Sequence, residues 1–263
     1  MGGAVSPQSE SGEGRALEPA DDGKYYISSA EQLKEFADKV NDTSGQYTDI
    51  DAELTADIDL SEICGEESDS SWTPIGNEDH LYTGTFDGNG KTISGLYIDS
   101  NADYQGLFGY LSTDGDNTGT VKDLSVSGTV SGGMYVGGVV GYNGGTVENC
   151  YNTGAVNSSG NRVGGVVGHN GFSATVTNCY NTGEVSGGEY VGGVVGYNGD
   201  GRVENCYNIG EVSGNRYVGG VVGENPSGSG NVTGCYFLKG TAGSGIGNGS
   251  GDAAVVDNLD ALC

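Results

Sequence analysis

Bases are scarce in this chain: 10 lysines and arginines face 36 aspartates and glutamates, a formal net charge of −26. A surface of that sign repels phosphate backbones and anionic lipid, so no nucleic-acid partner is expected. No apolar run approaches the length of a bilayer span, which weighs against membrane insertion, and residues 1–23 contain no apolar core of a secretion signal. Hydrophobic residues reach only 35%, with Leu and Phe few beside Val, Gly and Tyr. That composition is poor for a globular core but sufficient for a thin interior of small β-branched side chains. Calcium loops are missing as well. Asp114-Gly115-Asp116 lacks the downstream Glu of an EF-hand, and the glycine-rich calcium nonapeptide is absent. No cofactor or metal is expected. Glycine is abundant, at 52 residues, but without the strict every-third spacing of collagen.

What the chain does have is a repeated phrase. Gly-Gly-Val-Val-Gly occurs at Gly137–Gly141, Gly164–Gly168, Gly192–Gly196 and Gly219–Gly223. It alternates with an Asn-Cys-Tyr-Asn phrase whose cysteines, Cys150, Cys179, Cys206 and the more divergent Cys235, lie 29, 27 and 29 residues apart. A period of that length marks stacked repeats.

Taken in order, residues 1–23 read as a flexible acidic leader and residues 24–83 as a capping helix with the first strands. Ser28 and Glu31 have capping-box spacing, and Leu33, Phe36, Ala37 and Val40 form one apolar stripe on a helix of about three turns. Leu54, Ala56, Ile58 and Leu60 alternate with polar residues as in a half-buried strand. Residues 84–241 hold the repeats, six coils centred on Leu96, Leu124, Cys150, Cys179, Cys206 and Cys235. Residues 242–263 read as a Gly/Ser-rich tail with a partial C-terminal cap, and Ala253–Leu262 running into Cys263 suggests continuation into a larger polypeptide.

Each period offers three short β-rich segments, in the third coil Thr146-Val147, Cys150–Val156 and Val163–Val167. Asn143-Gly144, Asn170-Gly171 and Asn198-Gly199 read as left-handed corners between them. Helical repeats of this length would carry 3.6-residue patterns and few glycines. The fold expected is all-β: a single-stranded parallel β-helix, with the right hand favoured for parallel crossovers and an N-terminal α-helical cap. Stacking would place Val147, Val176, Val203 and Val232 in one inner ladder and Val130, Val156, Val185 and Val212 in another. Asn149, Asn178 and Asn205, and again Asn152, Asn181 and Asn208, would hydrogen-bond along the axis.

Together these features resemble the GLUG-repeat family of bacterial surface proteins. The resemblance runs from about Lys24 to Gly240 and includes the lead-in helix, Leu54–Leu60, Trp72–Gly76, Gly84–Gly90 and the repeats. Such repeats occur in large exported proteins, among them zinc-dependent immunoglobulin A peptidases, as non-catalytic modules. The peptidase signature His-Glu-x-x-His is absent, the two histidines being His80 and His169. The resemblance therefore implies an adhesin-like segment of a larger, extracellular bacterial surface polypeptide, with no protease activity.

Three constellations bear on chemistry. The cysteine ladder admits buried free thiols, rung-to-rung disulfides or, against the usual Cys-x₂-Cys spacing, a metal. Glu184 and Glu211 lie one period apart, the adjacency of a retaining glycosidase pair, but equally a solvated pair of like charges. Glu189 and Arg216 read as a cross-rung ion pair. Tyr151, Tyr180, Tyr207 and Tyr236 follow the cysteines and would point outward, with Tyr142 and Tyr197 in a second column interrupted by His169 and Glu224. These six tyrosines are the candidate ligand-binding residues, suited to a host glycan or extracellular protein. The expectation is a non-enzymatic binding module. Its alternatives are a rigid spacer without ligand and a polysaccharide-active enzyme using Glu184 and Glu211.

Overall fold

A computed structural model describes residues 16–65, 70–171, 173–226 and 231–258. Most of its strands are two to four residues long because glycines and left-handed residues interrupt the β-branched runs every few positions. They pair in parallel with their copies one coil away, apart from the small antiparallel hairpin Thr113–Asp114/Asn117–Thr118. The chain is a parallel β-solenoid.

One stack runs through eight rungs: Tyr25–Ile27, Ala52–Leu54, the starts of Thr85–Asp99 and Thr120–Gly132, Thr146–Glu148, Thr175–Thr177, Arg202–Glu204 and Asn231–Thr233. Eight coils therefore replace the six expected. The two extra ones are the three-residue strands at Tyr25 and Ala52, separated by a helix and too short for a visible period. Leu96 is also out of register with the cysteine ladder: it pairs with Gly128, while Leu124 pairs with Lys91, because irregularities between Asp87 and Lys91 and between Ile93 and Leu96 add residues to that coil. A six-stranded sheet forms another wall, from Phe108–Leu111 through Val140–Asn143, Val167–Asn170, Val195–Asn198 and Val222–Asn225 to Ile246–Gly249.

The third coil uses five strands rather than three segments: Thr146–Glu148, Tyr151–Asn152, Ala155–Ser158, Val163–Gly164 and Val167–Asn170. Asn143, Asn170 and Asn198 are therefore strand residues, not left-handed corners. They are buried with Asn225, and each Nδ2 donates to the next Oδ1 at 2.8–2.9 Å. The left-handed corners lie instead at Asn149, Asn178 and Asn205, with φ of 52–54°. A second interior chain joins Asn152 to Asn181 and Asn181 to Asn208, both at 2.9 Å. Buried amides persist only when paired, and here each side chain also bonds the backbone two residues on.

This amide ladder explains why the two sequence phrases travel together. The second glycine of each Gly-Gly-Val-Val-Gly lies flat against the inward amide, so that a Cβ on Gly165 would stand 2.4 Å from Cγ of Asn181 and one on Gly193 2.3 Å from Cγ of Asn208. In the last repeat a phenylalanine takes the amide's place, Phe237 beside Gly220. Both expected valine ladders face inward and are buried. Cys150, Cys179, Cys206 and Cys235 are buried free thiols, each pointing Sγ at backbone carbonyl oxygens, and Cys64 is likewise buried and free.

The N-terminal coils are wider and filled by rings: Phe36 packs on Tyr25, Tyr82 and Phe86, and Phe86 on Phe108. Phe36 comes from helix α1, Ala30–Val40, which lies over the end of the stack and buries the expected stripe Leu33, Phe36, Ala37 and Val40. Leu33, Phe36 and Val40 each contribute roughly 1.5–3 kcal/mol. The helix starts one residue later than its spacing suggests. Ser29 is the N-cap, accepting from the Gln32 N–H, while the Gln32 side chain bonds back to the Ser28 N–H at 2.8 Å. Of residues 1–23, the first 15 lie outside the described residues; Leu17 is buried, and its N–H donates to the Glu35 carboxylate at 2.9 Å. At the other end the Gly/Ser segment continues the solenoid, because Ile246–Gly249 pairs with Val222–Asn225 and Ala253–Val256 with Cys235–Leu238. Cys263 lies outside the described residues.

Candidate ligand-binding flank

Just before each Val-Gly-Gly the chain turns a corner through a left-handed residue. These are Tyr135, Arg162, Tyr190 and Tyr217, with φ of 54–65°, and Tyr104 holds the same place one coil earlier. Bulky residues rarely adopt this conformation. Here the strands on either side fix the backbone and the ring projects from the corner. The result is a column of four tyrosines broken by one arginine.

Beside it, on the six-stranded wall, runs the register-aligned column Tyr110, Tyr142, His169, Tyr197 and Glu224. Within each column rings lie face to face. Tyr104 and Tyr135 are 4.7 Å apart at 1°, Tyr110 and Tyr142 4.3 Å, Tyr142 and His169 4.6 Å, and Tyr190 and Tyr217 5.3 Å. Between columns the rings meet edge to face, Tyr135 to Tyr142 at 64° and Tyr190 to Tyr197 at 87°. Two ribs of half-buried rings thus flank a shallow angle along about five coils, roughly 19 Å at the strand spacing.

Charge on this flank departs from the rest of the molecule. Among the described residues, three cationic side chains lack a carboxylate within ion-pairing distance, Lys91, Arg162 and Arg216, and two of these sit here. Arg162 lies 4.9 Å over Tyr135 and 5.0 Å over Tyr197, and donates to the Tyr135 hydroxyl. Arg216 lies 4.2 Å over Tyr217; it is the register partner of Glu189, but the expected ion pair does not form. A guanidinium stacked on a tyrosine keeps hydrogen-bond donors for a third party.

Burial, helped by the Arg162 charge, lowers the pKa of His169 to about 4, so the ring between Tyr142 and Tyr197 is neutral at neutral pH. The unfolded chain takes up this proton near pH 6.5, before the folded one does. The stability that neutral His169 contributes is therefore full above pH 6.5 and lost between there and about pH 4. His169→Phe removes the difference. Between pH 7.5 and 4.5 the wild type should lose roughly 2–3 kcal/mol more than the variant, several degrees of Tm in parallel thermal melts. Equal pH dependence of the two proteins would contradict a buried, neutral imidazole.

The other tyrosines occupy a separate stack. Tyr151, Tyr180 and Tyr207 follow the inward cysteines and stack outward at 4.5 and 4.7 Å, with Tyr236 more exposed beyond Tyr207 in register. Their faces are turned to one another, as in the flank. Tyr142 and Tyr197 instead belong to the double column. Tyr104, Tyr135, Tyr190 and Tyr217 were legible as aromatics at a fixed offset before the glycine phrase, although the pattern breaks at Arg162. Glu184 and Glu211 stand exposed at successive turns.

Three coils match the family model of the GLUG motif, over residues 132–157, 159–186 and 187–213. These three repeats are GLUG motifs. Each GLUG match contains one Asn-Cys-Tyr-Asn phrase, and together they carry Tyr135, Tyr142, His169, Tyr190 and Tyr197 of the flank. Halomucin of Haloquadratum walsbyi is 36% identical over 156 residues, 55% of this chain and 2% of that protein. A Gly-rich candidate membrane protein of Evansella cellulosilytica is 33% identical over 154 residues, 57% of this chain and 16% of the other. The chain thus spans a small part of the length of these relatives. A solved structure from Bacteroides ovatus, described as that of a candidate immunoglobulin A1 protease, superposes with a TM-score of 0.69 at 23% identity, covering 90% of this chain and 85% of that one. This likeness concerns the fold alone.

Proposed function

We propose that this GLUG solenoid is a non-enzymatic, extracellular binding module of a bacterial surface protein, which holds a glycan or a host protein through its tyrosine-rich flank. The observation that carries the reading is the double column itself. Ten successive positions, in two registered rows, hold eight aromatic rings and one stacked arginine, far more than a spacer needs to stay folded. Rigid, half-buried rings contribute contact area at low entropic cost. The rung spacing also repeats the same contacts along an extended polymer. The names of the relatives, a mucin-like and a membrane protein, support a place at the cell surface. The glycosidase alternative rests on the spacing of Glu184 and Glu211, both exposed.

The test is an array of host glycans, mucins and matrix proteins probed with the purified chain. Selective retention of a subset is expected. Uniform silence at micromolar protein would overturn the reading in favour of a spacer.

A further inference from the structure

The corner column has a head, and something is missing above it. Tyr135 covers one face of Tyr104, and no stacked ring among the described residues covers the other. One coil toward the N-terminus, Ile75 pairs with Phe108 and Tyr82 with Leu111, so residues 76–81 form a loop beside Tyr110, and Thr73-Pro74 passes the corner without an aromatic. The vacant rung is a cleft of about 340 Å³, lined by Asn41, Asn77, Glu78, Asp79, Asp103 and Tyr104 among others. That volume is at the lower end for small-ligand sites.

Its walls are held before any ligand arrives. The Asn41 side chain donates to the Pro74 carbonyl at 2.9 Å and accepts from the Gly76 N–H at 3.0 Å and from Asn77 Nδ2 at 3.2 Å. Asn77 Oδ1 in turn accepts from the N–H groups of Asp79 and His80. Asp103 Oδ1 accepts from the Met134 N–H at 2.7 Å, which aligns its carboxylate beside the ring. Burial and a hydrogen bond to the Glu78 carboxylate push the Tyr104 hydroxyl up to about 12, so the phenol stays a neutral donor. A fixed ring face, carboxylate acceptors and stiff loops together suit a flat molecule with an apolar face and hydroxyl edges.

We infer that this cleft binds a neutral pyranose sugar, its C–H face on Tyr104 and its hydroxyls donating to Glu78, Asp79 and Asp103. The inference rests on the reading of the flank as a binding surface and names a ligand class for its head. Three carboxylates turn away acidic sugars, since a ligand carboxylate there would meet like charge on Glu78, Asp79 and Asp103, with His80 as the one basic side chain of the lining.

Saturation-transfer NMR and titration with methyl glucoside, methyl galactoside and methyl mannoside test it, with methyl glucuronide as the acidic counterpart and Nα-acetyl-lysinamide as a cationic peptide probe. At least one neutral pyranoside should receive saturation at its ring C–H protons. Tyr104→Asn, which tolerates the left-handed backbone, should weaken it about tenfold or more without altering the far-ultraviolet dichroism. Methyl glucuronide should bind about tenfold more weakly than the glucoside, and Glu78→Gln should narrow that gap. No response to any neutral pyranoside, an unaffected Tyr104→Asn protein, equal binding of the glucuronide, or preference for the lysinamide would each overturn the inference. An array ligand retained while no pyranoside binds would sink this cleft and leave the flank standing. A pyranoside lost in Tyr104→Asn beside a silent array would do the reverse.

Discussion

Val185→Asp should abolish cooperative melting of the solenoid. Val185 is fully buried in the ladder Val130, Val156, Val185 and Val212, with a coil stacked on either side. A carboxylate there would meet no cation among its described neighbours. The options are an unpaired buried charge or a protonated acid without partners, and either costs about 4 kcal/mol or more. In a stack whose coils touch only their neighbours, the fault also separates the coils before it from those after it. Thermal unfolding followed by circular dichroism should show a Tm at least about 10 °C lower, or no transition. Glu184→Gln, one residue away and exposed, should stay within about 0.5 kcal/mol of wild type. An unchanged Tm for Val185→Asp would refute the inward assignment of the whole ladder.

Asn181→Leu should destabilise nearly as much, although it makes the interior more apolar. Asn181 accepts from Asn152 Nδ2 at 2.9 Å, donates to Asn208 Oδ1 at 2.9 Å and to the Gly183 carbonyl at 2.7 Å, and accepts from the Gly183 N–H at 3.3 Å. Leucine has the same branched outline, with bulkier ends, but abandons the Gly183 groups and interrupts the amide chain. It also sets a branched methyl pair against Gly165, whose backbone lies flat on the amide. The expected loss is about 3–5 kcal/mol by chemical denaturation. Asn178→Gly, in the exposed ladder with φ of 53°, should change stability by less than about 1 kcal/mol, because glycine accepts that backbone without strain. Equal effects at the two positions would mean that the buried ladder contributes no more than the solvated one.

The parallel solenoid was readable because its period is written in side chains that must face one way. Valines at 147, 176, 203 and 232 can sit only inside, and the cysteines that begin each Cys-Tyr pair force the tyrosines out. The first two coils were not readable, since Tyr25–Ile27 and Ala52–Leu54 are interrupted by α1 and share no phrase with the later repeats. Asn143, Asn170 and Asn198 were read as corners because Asn-Gly usually marks one. Their amides instead turn inward to pair along the axis, and tertiary hydrogen bonding outweighs local turn preference. The corner tyrosines are legible as aromatics at one offset before the glycine phrase, but left-handed φ is rare for an aromatic, so nothing local marks Tyr135, Tyr190 and Tyr217 as corners. A vacant rung such as the cleft above Tyr104 leaves no mark in sequence.

The flank is the feature on which the functional account turns, and a pair of double variants isolates it. Tyr190→Asn/Tyr217→Asn removes two rings of the corner column while keeping residues that tolerate a left-handed backbone, and Tyr180→Ala/Tyr207→Ala removes two rings from the separate stack. Both would be titrated beside wild type against the strongest ligand retained on the array, after melts show that each is folded. The account predicts a loss of about tenfold or more for the first variant and less than about threefold for the second. Wild-type affinity in the first variant, with or without a loss in the second, would contradict it.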